Sequence, residues 1–430
     1  MSKPFILRQG DSKDVLKLLK ANYIDSVVAD PPAGINFMGK DFDKDKGGRK
    51  QWIQWLTDIM EEVYRVLKPG GYMLIWALPR TSHWTATALE DAGFEIRDVI
   101  THISGSGFPK SMNISKAIDK AAGADRKKIA TGTSGKTRSV LNAALHPETF
   151  GGGYDITIAA TDDAKKWEGY GTALKPASEH WILCRKPIEE KTVVANVLKW
   201  GVGAINIDAS RIGMINGDST LRKRVGPTYT GTYNNGKVSE AQPGFMTGTD
   251  TGRFPANLLL SHSPGCKFVG EKEIKGNSPV GFSDVKTDNT YGKYAHNSRD
   301  VTHDLTETVQ AYECVDGCPI AEMGEQSRYF KTFVYAGKSS KRDRNLGLTE
   351  GETSTHPTVK SQQLMTYLVK MITPPGGKVL DMFMGSGSTG VAAVNNGFKF
   401  VGIELDDDYY ITAKTRIESA WEKSCNENTV

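Results

Sequence analysis

The chain has 430 residues, of which 24% are charged and 38% hydrophobic, and its formal net charge is +4 at pH 7. This length suits two or three domains, or one large domain with insertions, and so mild a basic excess permits a nucleic-acid partner without requiring one. No apolar run approaches the roughly 18 residues of a membrane span. With five cysteines and no apparent secretory signal, a disulfide scaffold is not expected and a reducing cytoplasm is favoured.

Strands and helices alternate in the first part of the chain, from Phe5 to about Val99. The runs FILRQ, SVVAD and YMLIWAL predict strands, and QWIQWLTDIMEEVYRVLKPGG predicts a helix that stops at Pro69-Gly70-Gly71. The second of these strands leads into VVADPPAGINF, where Asp30 precedes two prolines. Prolines fix φ and carry no N–H, so this turn is stiff and presents hydrogen-bond acceptors. The alternative, that Asp30 only caps a turn, explains the two prolines less well.

The middle of the chain reads as irregular. Glycine, serine, threonine and asparagine are frequent from about 121 to 168 and from about 191 to 345, which indicates long insertions. Two basic clusters, 211–229 and 335–345, are interleaved with glycine and aromatic residues. They are candidates for phosphate contacts, although a charge run is more often a solvated surface.

Two short motifs in the second insertion carry metal-ligand residues. HSPGC places His262 four residues before Cys266, and CVDGC places Cys314 four residues before Cys318. One histidine and three cysteines suit tetrahedral zinc, and four protein ligands would make the site structural. The alternative is two loops with incidental buried thiols.

The α/β pattern returns from about His356 to Ala420. QQLMTYLVKMI and STGVAAVNNG predict helices, and VLDMFM and FKFVGIEL predict strands. The turn MGSGS between them lets the backbone pass close to a ligand, and Glu404 at the end of the next strand suits ribose hydroxyls. The spacing is not GxGxxG, and no Walker lysine follows Gly387, so neither a dinucleotide nor a nucleoside triphosphate is the favoured ligand. The whole pattern predicts a doubly wound, mostly parallel sheet with a long irregular central insertion.

Three motifs together resemble those of the β-class DNA amino-methyltransferases: Asp30-Pro31-Pro32, HPTVKS at 356–361, and Phe383-x-Gly385-x-Gly387. The resemblance implies a Rossmann-like methyltransferase fold in which the catalytic motif precedes the cofactor motif. It implies the following division of the chain: 1–120, catalytic half; 121–168, insertion; 169–190, return to the core; 191–345, insertion with target recognition; 346–420, cofactor-binding half; 421–430, flexible tail.

The family's chemistry assigns roles to these positions. The amino group of a base is a poor nucleophile because its lone pair is delocalised into the ring. Two acceptors, here the Asp30 carboxylate and the Pro31 carbonyl, take hydrogen bonds from its N–H groups and favour a localised lone pair. The catalytic set is Asp30, Pro31, Pro32 and Ala33. The residues implied to bind S-adenosylmethionine are Asp11, Asp30, His356, Thr358, Lys360, Asp381, Phe383, Gly385, Ser386, Gly387, Ser388, Thr389 and Glu404. Those implied to contact the substrate are Phe37, Phe108, Pro109, Lys110 and Ser111.

Ala33 departs from the family pattern, because the fourth position of the catalytic motif is normally an aromatic that stacks on a flipped base. Three explanations stay open. Phe37 or Phe42 substitutes for the missing ring, the enzyme is impaired and binds DNA without efficient turnover, or this branch of the family works with alanine.

Aspartate at the head of the motif is commoner among adenine-specific members, so methylation of adenine N6 in double-stranded DNA is the expected activity. The alternatives are methylation of cytosine N4 in DNA, and methylation of RNA or of a glutamine amide in a protein. The resemblance points to phage or restriction–modification enzymes of the bacterial cytoplasm or of an infected cell, with no membrane partner, and it leaves a homodimer open.

Overall fold

The structure, a computed structural model, describes most of the two ends of the chain and parts of its middle. The described residues are 3–35, 43, 46–105, 107, 111–132, 154–213, 222–224, 245–247, 252–275, 306–334, 344–345, 347–348, 356 and 359–427. None of the helices among them is both long and apolar enough to cross a membrane.

The chain divides into two compact units. The first comprises Met1–Ser104 with Ser178–Val430, and the second is Gly105–Ala177. The second unit therefore starts before the insertion expected at 121–168 and ends within the range 169–190 expected to return to the core. The reason lies in the sheet, where Ile103 near the end of one strand pairs with Ser178 at the start of its antiparallel neighbour.

The strands of the described residues are, in chain order, β1 (Phe5–Gln9), β2 (Ile24–Ala29), β3 (Leu67–Ala77), β4 (Glu95–Ser104), β5 (Lys128–Gly132), β6 (Tyr154–Thr157), β7 (Ser178–Arg185), β8 (Arg222–Arg224), β9 (Phe245–Thr247), β10 (Leu258–Ser261), β11 (Lys267–Lys275), β12 (Thr306–Glu313), β13 (Lys331–Phe333), β14 (Lys378–Asp381) and β15 (Lys399–Glu404).

The helices of the same residues are α1 (Ser12–Lys17), α2 (Arg49–Val66), α3 (Ser82–Asp91), α4 (Ile114–Ala121), α5 (Asp162–Lys166), α6 (Val193–Trp200), α7 (Ile207–Ser210), α8 (Pro319–Met323), α9 (Gln362–Ile372), α10 (Ser388–Asn395) and α11 (Asp407–Glu427). A 3₁₀ turn, Gly324–Tyr329, follows α8.

Nine of the described strands form one sheet in the order β1-β15-β14-β2-β3-β7-β4-β10-β13. All neighbours are parallel except at β7, which runs antiparallel to both β3 and β4. Because β3 and β4 are both antiparallel to β7, they point in the same direction, and so do the strands beyond them. The carboxyl ends of β1, β15, β14, β2, β4 and β10 therefore lie at one edge of the sheet, which we call the catalytic edge. The predicted doubly wound, mostly parallel α/β fold is confirmed.

Helices cover both faces of this sheet, as the alternation of side chains along the strands requires. One face packs the apolar sides of α2 and α3 against β2 and β3 through residues such as Leu56, Leu89 and Val27. The opposite face packs α9, α10 and α11 against the same strands through Leu368, Val391 and related residues. Strands β2 and β14, whose carboxyl ends carry the two principal motifs, are thus held from both sides.

Three sequence expectations differ from the structure. Helix α2 ends at Val66, and the Pro-Gly-Gly expected to stop it belongs to β3, where the Gly70 N–H donates to the Lys186 carbonyl at 3.0 Å. The insertion expected at 191–345 contributes β10 and β13 to the central sheet. The flexible tail expected at 421–430 is helical as far as Glu427, because Trp421 packs edge-on against Phe5 with ring centroids 6.2 Å apart.

Candidate functional site

The predicted site residues of the first unit gather at the catalytic edge. Asp30 directly follows β2, while Asp381 and Glu404 end β14 and β15. Asp11 follows β1 and caps α1 by accepting the Lys13 N–H at 2.9 Å, so it is exposed at the start of a helix. Adjacent parallel strands are roughly 4.8 Å apart, so side chains from neighbouring carboxyl ends face one shared space.

Three hydrogen bonds hold the glycine turn that follows β14. The Gly385 N–H donates to Glu404 Oε2 at 2.6 Å, and the Met384 N–H donates to the Ile403 carbonyl at 2.9 Å. Arg416 of α11, which is completely buried, donates to the Ser386 carbonyl. These contacts tie the turn to β15 and α11, so its shape is fixed before any ligand binds.

His356 lies over this turn. A Cβ built on Gly385 would come within 2.8 Å of His356 Nε2, and the imidazole packs edge-on against Tyr409 with ring centroids 4.5 Å apart. The pKa of His356 is lowered to about 4, mainly by burial and also by the positive charge of Arg416. The ring is therefore neutral at physiological pH and contributes no positive charge to the site.

Asp381 is the most deeply buried of the edge carboxyls. It accepts the Thr389 hydroxyl at 2.6 Å and the Phe383 N–H at 3.0 Å. The pKa of Asp381 is nevertheless raised to about 7, mainly by burial and also by the nearby charges of Asp30 and Glu404. Burial also raises the pKa of Asp30 and of Glu404. Three crowded carboxyls of this kind favour a ligand that brings positive charge.

The native protein is expected to lose stability as pH rises through the titration of Asp381, and Asp381→Asn is expected to remove that loss. The pKa of Asp381 is about 7 in the folded protein against an ordinary value of 3.8. Between these values the folded state keeps a proton that the unfolded chain has released, so the free energy of unfolding falls with rising pH. The fall is on the order of 4 kcal/mol over that whole range, of which about 3 kcal/mol develops between about pH 5 and about pH 8. Urea unfolding of both proteins at about pH 5 and about pH 8 measures it.

In that comparison the variant should gain stability relative to the native protein as pH rises. Thr389→Val removes a donor that favours the ionised carboxylate, so it should extend the loss towards higher pH. A stability difference between native protein and Asp381→Asn that is the same at both pH values would contradict the assignment.

Asp30 is held by a cluster that the sequence did not reveal. Lys360 Nζ lies 3.2 Å from Asp30 Oδ2 and 3.8 Å from Glu179 Oε2, and the Trp76 indole N–H donates to the same Glu179 oxygen at 3.1 Å. The Lys360 ammonium also lies over the Trp76 ring, 4.2 Å from its centroid. Lys360 was expected to bind the cofactor, and in the structure it pairs with Asp30, the carboxylate predicted to be catalytic.

The Asp-Pro-Pro-Ala turn is closed by Asp43, another residue that sequence reasoning missed. Its carboxylate accepts the Gly34 N–H at 2.8 Å and the Ile35 N–H at 3.3 Å. Pro31 is buried, whereas Pro32 and Ala33 are half-buried. The methyl group of Ala33 thus belongs to an ordered turn, and the position offers no ring for stacking.

Of the five residues expected to contact the substrate, only Ser111 lies among the described residues. Phe37, Phe108, Pro109, Lys110 and the cofactor residue Thr358 lie outside the described residues, as does Phe42. Ser111 belongs to the second unit, where its hydroxyl accepts the N–H groups of Thr172 and Ala173 at 3.0 and 3.2 Å. It helps to line a cleft of about 700 Å³ within that unit.

Glu179, Trp76, Asp43 and Arg416 are the site residues that sequence reasoning did not select. Two of them left a signal in the sequence, of which the stronger is Glu179, an acidic residue just before the apolar run WILC of a central strand. Arg416 gave a weaker signal as an arginine on a helix whose neighbours Ala413 and Ile417 are buried. The other two become visible only when distant segments meet.

The four expected metal ligands come together. One ligand atom from each of His262, Cys266, Cys314 and Cys318 lies within 4.8 Å of the others. No ion is part of the structure, and the cluster belongs to the first unit at the carboxyl end of β10.

A protein-family model matches most of the chain. A family model described as DNA methylase, covering N6- and N4-specific enzymes, matches residues 24–415. Type II methyltransferase M2.DpnII of Streptococcus pneumoniae is 39% identical over 64 residues, which are 15% of this chain and 24% of that protein. DNA adenine methyltransferase YhdJ of Escherichia coli (strain K12) is 37% identical over 76 residues, 18% of this chain and 26% of that protein. Each alignment spans about a quarter of the relative's length.

Solved structures were compared with the whole chain. The M1.HpyAVI–SAM complex is 16% identical, with 96% of this chain and 98% of that chain covered and a TM-score of 0.36. The cytosine-N4-specific PvuII DNA methyltransferase is 12% identical, with 99% and 94% covered and a TM-score of 0.44. Detailed placement of the site residues therefore depends on the sheet order and contacts of this chain itself.

Proposed function

The chain belongs to the N6/N4 family of DNA methylases, and from that membership we propose that it transfers the methyl group of S-adenosylmethionine to N6 of a flipped adenine in duplex DNA. The observation that carries this proposal is the adjacency of β2 and β14 at the catalytic edge. It brings the acceptor-rich turn of Asp30 beside the glycine turn that begins at Phe383, although the two are about 350 residues apart in sequence.

The glycine turn suits S-adenosylmethionine in three respects. The Ser388 hydroxyl is buried yet has no hydrogen-bond partner among the described residues, so a polar ligand group would satisfy it. Glu404, at the end of β15, is the acceptor we assign to the ribose hydroxyls, with Asp11 on the adenine side. The buried carboxyls of Asp30 and Asp381 favour a cationic ligand, and a sulfonium centre supplies that charge.

When bound, the cofactor supplies an electrophilic methyl group. The chain's own part is to position the nucleophile. The Asp30 carboxylate and the Pro31 carbonyl accept hydrogen bonds from the two N–H groups of the base's amino group, which favours a pyramidal nitrogen with a localised lone pair. The two prolines keep these acceptors fixed, so little reorganisation is needed as the reaction proceeds. No covalent enzyme intermediate is required.

Adenine is favoured over cytosine on two grounds. An aspartate opens the catalytic motif, as in most adenine-specific members that the chain resembles, and the relative YhdJ is named a DNA adenine methyltransferase. For the DNA side, we assign target recognition to the range 191–345. Among its described parts, the β11–β12 hairpin presents Lys267 and Lys272 at its surface, in positions that suit phosphate contacts.

Transfer of tritium from labelled S-adenosylmethionine to mixed duplex DNA, followed by nucleoside analysis, tests the proposal. Labelled N6-methyl-2′-deoxyadenosine is the expected product. Labelled N4-methylcytosine would overturn the choice of base, and label appearing only in RNA or protein would overturn the substrate class. Cofactor binding without label in any substrate would mark an impaired enzyme, consistent with Ala33 in place of an aromatic.

Lys360→Met is expected to move the acidic limb of the pH–rate profile to higher pH. Burial raises the pKa of Asp30, and the Lys360 ammonium opposes that increase. Removing the ammonium raises the pKa further, so the ionised acceptor forms only at higher pH, where activity should recover. The pH dependence of kcat/KM measures this shift, since it reports groups of the free enzyme.

Lys360→Arg is the matched control, because it keeps the positive charge beside Asp30 and should leave the acidic limb close to its original position. If Lys360→Met instead lowered kcat/KM by the same factor at every pH, the ion pair would not be what sets the ionisation of Asp30.

A further inference from the structure

Two turns of the same design carry the histidine–cysteine cluster. In Ser263–Cys266 and in Val315–Cys318, the N–H of the final cysteine donates to the carbonyl three residues earlier, at 3.2 Å in both cases. Each turn has glycine at its third position, with φ values of 99° and 70°. Such a φ is characteristic of a type II turn and suits glycine best. The local sequence, S-P-G-C and V-D-G-C, therefore specifies two equivalent bends, and each ends on a thiol.

The ligand atoms have the spacing of a tetrahedral metal site. His262 Nδ1 lies 3.5 Å from Cys314 Sγ and 3.7 Å from Cys318 Sγ. For zinc bonded to sulfur at about 2.3 Å and to nitrogen at about 2.1 Å, tetrahedral angles place nitrogen and sulfur ligands about 3.6 Å apart. The observed separations agree with that requirement.

Surrounding contacts orient the ligands inward. The His262 ring stacks on Tyr312, with centroids 3.9 Å apart and planes tilted by 33°, which fixes the direction of Nδ1. His262 and Cys318 are buried, whereas the other two cysteines are half-buried.

We propose that His262, Cys266, Cys314 and Cys318 bind one structural Zn²⁺ ion. Three soft thiolates and one imidazole favour zinc over magnesium or calcium, which prefer oxygen ligands. Four protein ligands complete the tetrahedron and leave no position for water, so the ion takes no part in methyl transfer.

The ion joins three elements of the first unit. His262 follows β10, Cys266 and Cys314 flank the β11–β12 hairpin at its base, and Cys318 precedes α8. A two-stranded hairpin is marginally stable in water on its own, and Phe268 and Val269 of β11 are 54% and 55% exposed. The metal thus fastens the hairpin to the carboxyl end of β10, which lies at the catalytic edge of the sheet.

Metal analysis of the full-length protein, purified under reducing conditions, tests the site directly. We expect about one equivalent of zinc per chain, falling to near zero in Cys266→Ser and Cys318→Ser. Cys425→Ser is the matched control, because this half-buried cysteine lies outside the cluster and its loss should leave the zinc content unchanged. Iron in place of zinc, or zinc retained by both ligand variants, would overturn the proposal.

A second measurement does not depend on the folding of variants. After removal of its metal, the native chain should bind one equivalent of Co²⁺ and develop thiolate-to-cobalt charge-transfer absorption with tetrahedral d–d bands. Metal removal should also speed amide hydrogen exchange in β11 and β12 but not in β14. Absence of the charge-transfer band, or a disulfide found in its place in the reduced protein, would show that the cluster is not a metal site. Neither readout uses methyl transfer, so both stand apart from the proposed activity.

Discussion

Asp30→Asn is expected to lower the single-turnover rate of methyl transfer by about 10²–10³-fold, the cost typical of losing one preorganised electrostatic contact. The amide keeps the shape of the carboxylate but loses its charge, and its NH₂ group donates where an acceptor is needed. Cofactor affinity should fall far less, because the glycine turn is held by Glu404 and Arg416 rather than by Asp30. Rapid-quench transfer from labelled S-adenosylmethionine, beside calorimetric cofactor binding, separates the two effects.

Asp25→Asn is the matched control for this experiment. Asp25 lies at the opposite end of the same strand and is also paired with a lysine, since Lys68 Nζ is 2.5 Å from its Oδ1. Its replacement should lower stability but leave the rate of the folded enzyme nearly unchanged. If the two variants lost similar rates, the effect would come from disturbance of β2, and Asp30 would not be the acceptor.

The sequence predicted the two ends of the chain well because local patterns determine them. Strand β1, helix α9 and the start of α10 fall where periodicity and the glycine turn place them. The strands beside β1 in the sheet, β15, β14 and β2, are buried over most of their length, so each is largely apolar and has charged residues near its ends. Such signals lie within a dozen residues and need no knowledge of the rest of the fold.

The middle of the chain was harder to interpret because its order depends on distant partners. Strand β10 has only four residues, and it is a strand because β4 and β13 flank it. The pairing of Lys360 with Asp30 and Glu179 joins segments from three parts of the chain, and a lysine in the HPTVKS motif gives no local sign of it. The cysteine cluster is an instructive intermediate case. Its ligand types suggested a single site, whereas the path of the chain that brings together two turns some 50 residues apart was not visible in the sequence.

The alanine at position 33, where the family usually has an aromatic, illustrates the same limit. The motif alone leaves open whether another aromatic replaces the missing ring, because Phe37 follows in sequence and its distance from the base depends on the path of the loop. The structure restricts the question, since Asp43 closes the turn directly after Ala33 and fixes the backbone that leads away from it.

Gly385→Ala should weaken S-adenosylmethionine binding about tenfold to hundredfold. Gly385 has a φ of 52°, and its added Cβ would lie 2.8 Å from His356 Nε2. The left-handed backbone costs roughly 1–2 kcal/mol for alanine, and His356 must move although it is packed against Tyr409. Each 1.4 kcal/mol that falls on the bound state is about tenfold in Kd. Displacement of the turn would also disturb the hydrogen bond from the Gly385 N–H to Glu404, the group assigned to the ribose. Calorimetric titration with the cofactor measures the change.

Gly376→Ala separates backbone strain from the local effect at the turn. Gly376 has a φ of 65°, and a Cβ built there meets nothing within 4 Å. It lies before β14, at the amino end of the strand whose carboxyl end carries the glycine turn. This variant should lose a similar amount of stability and keep its cofactor affinity. Equal weakening by both substitutions would mean that strain spreads along β14. The loss at Gly385 would then not report contact with the methyl donor, and the assignment of this turn as the cofactor site would lose its support.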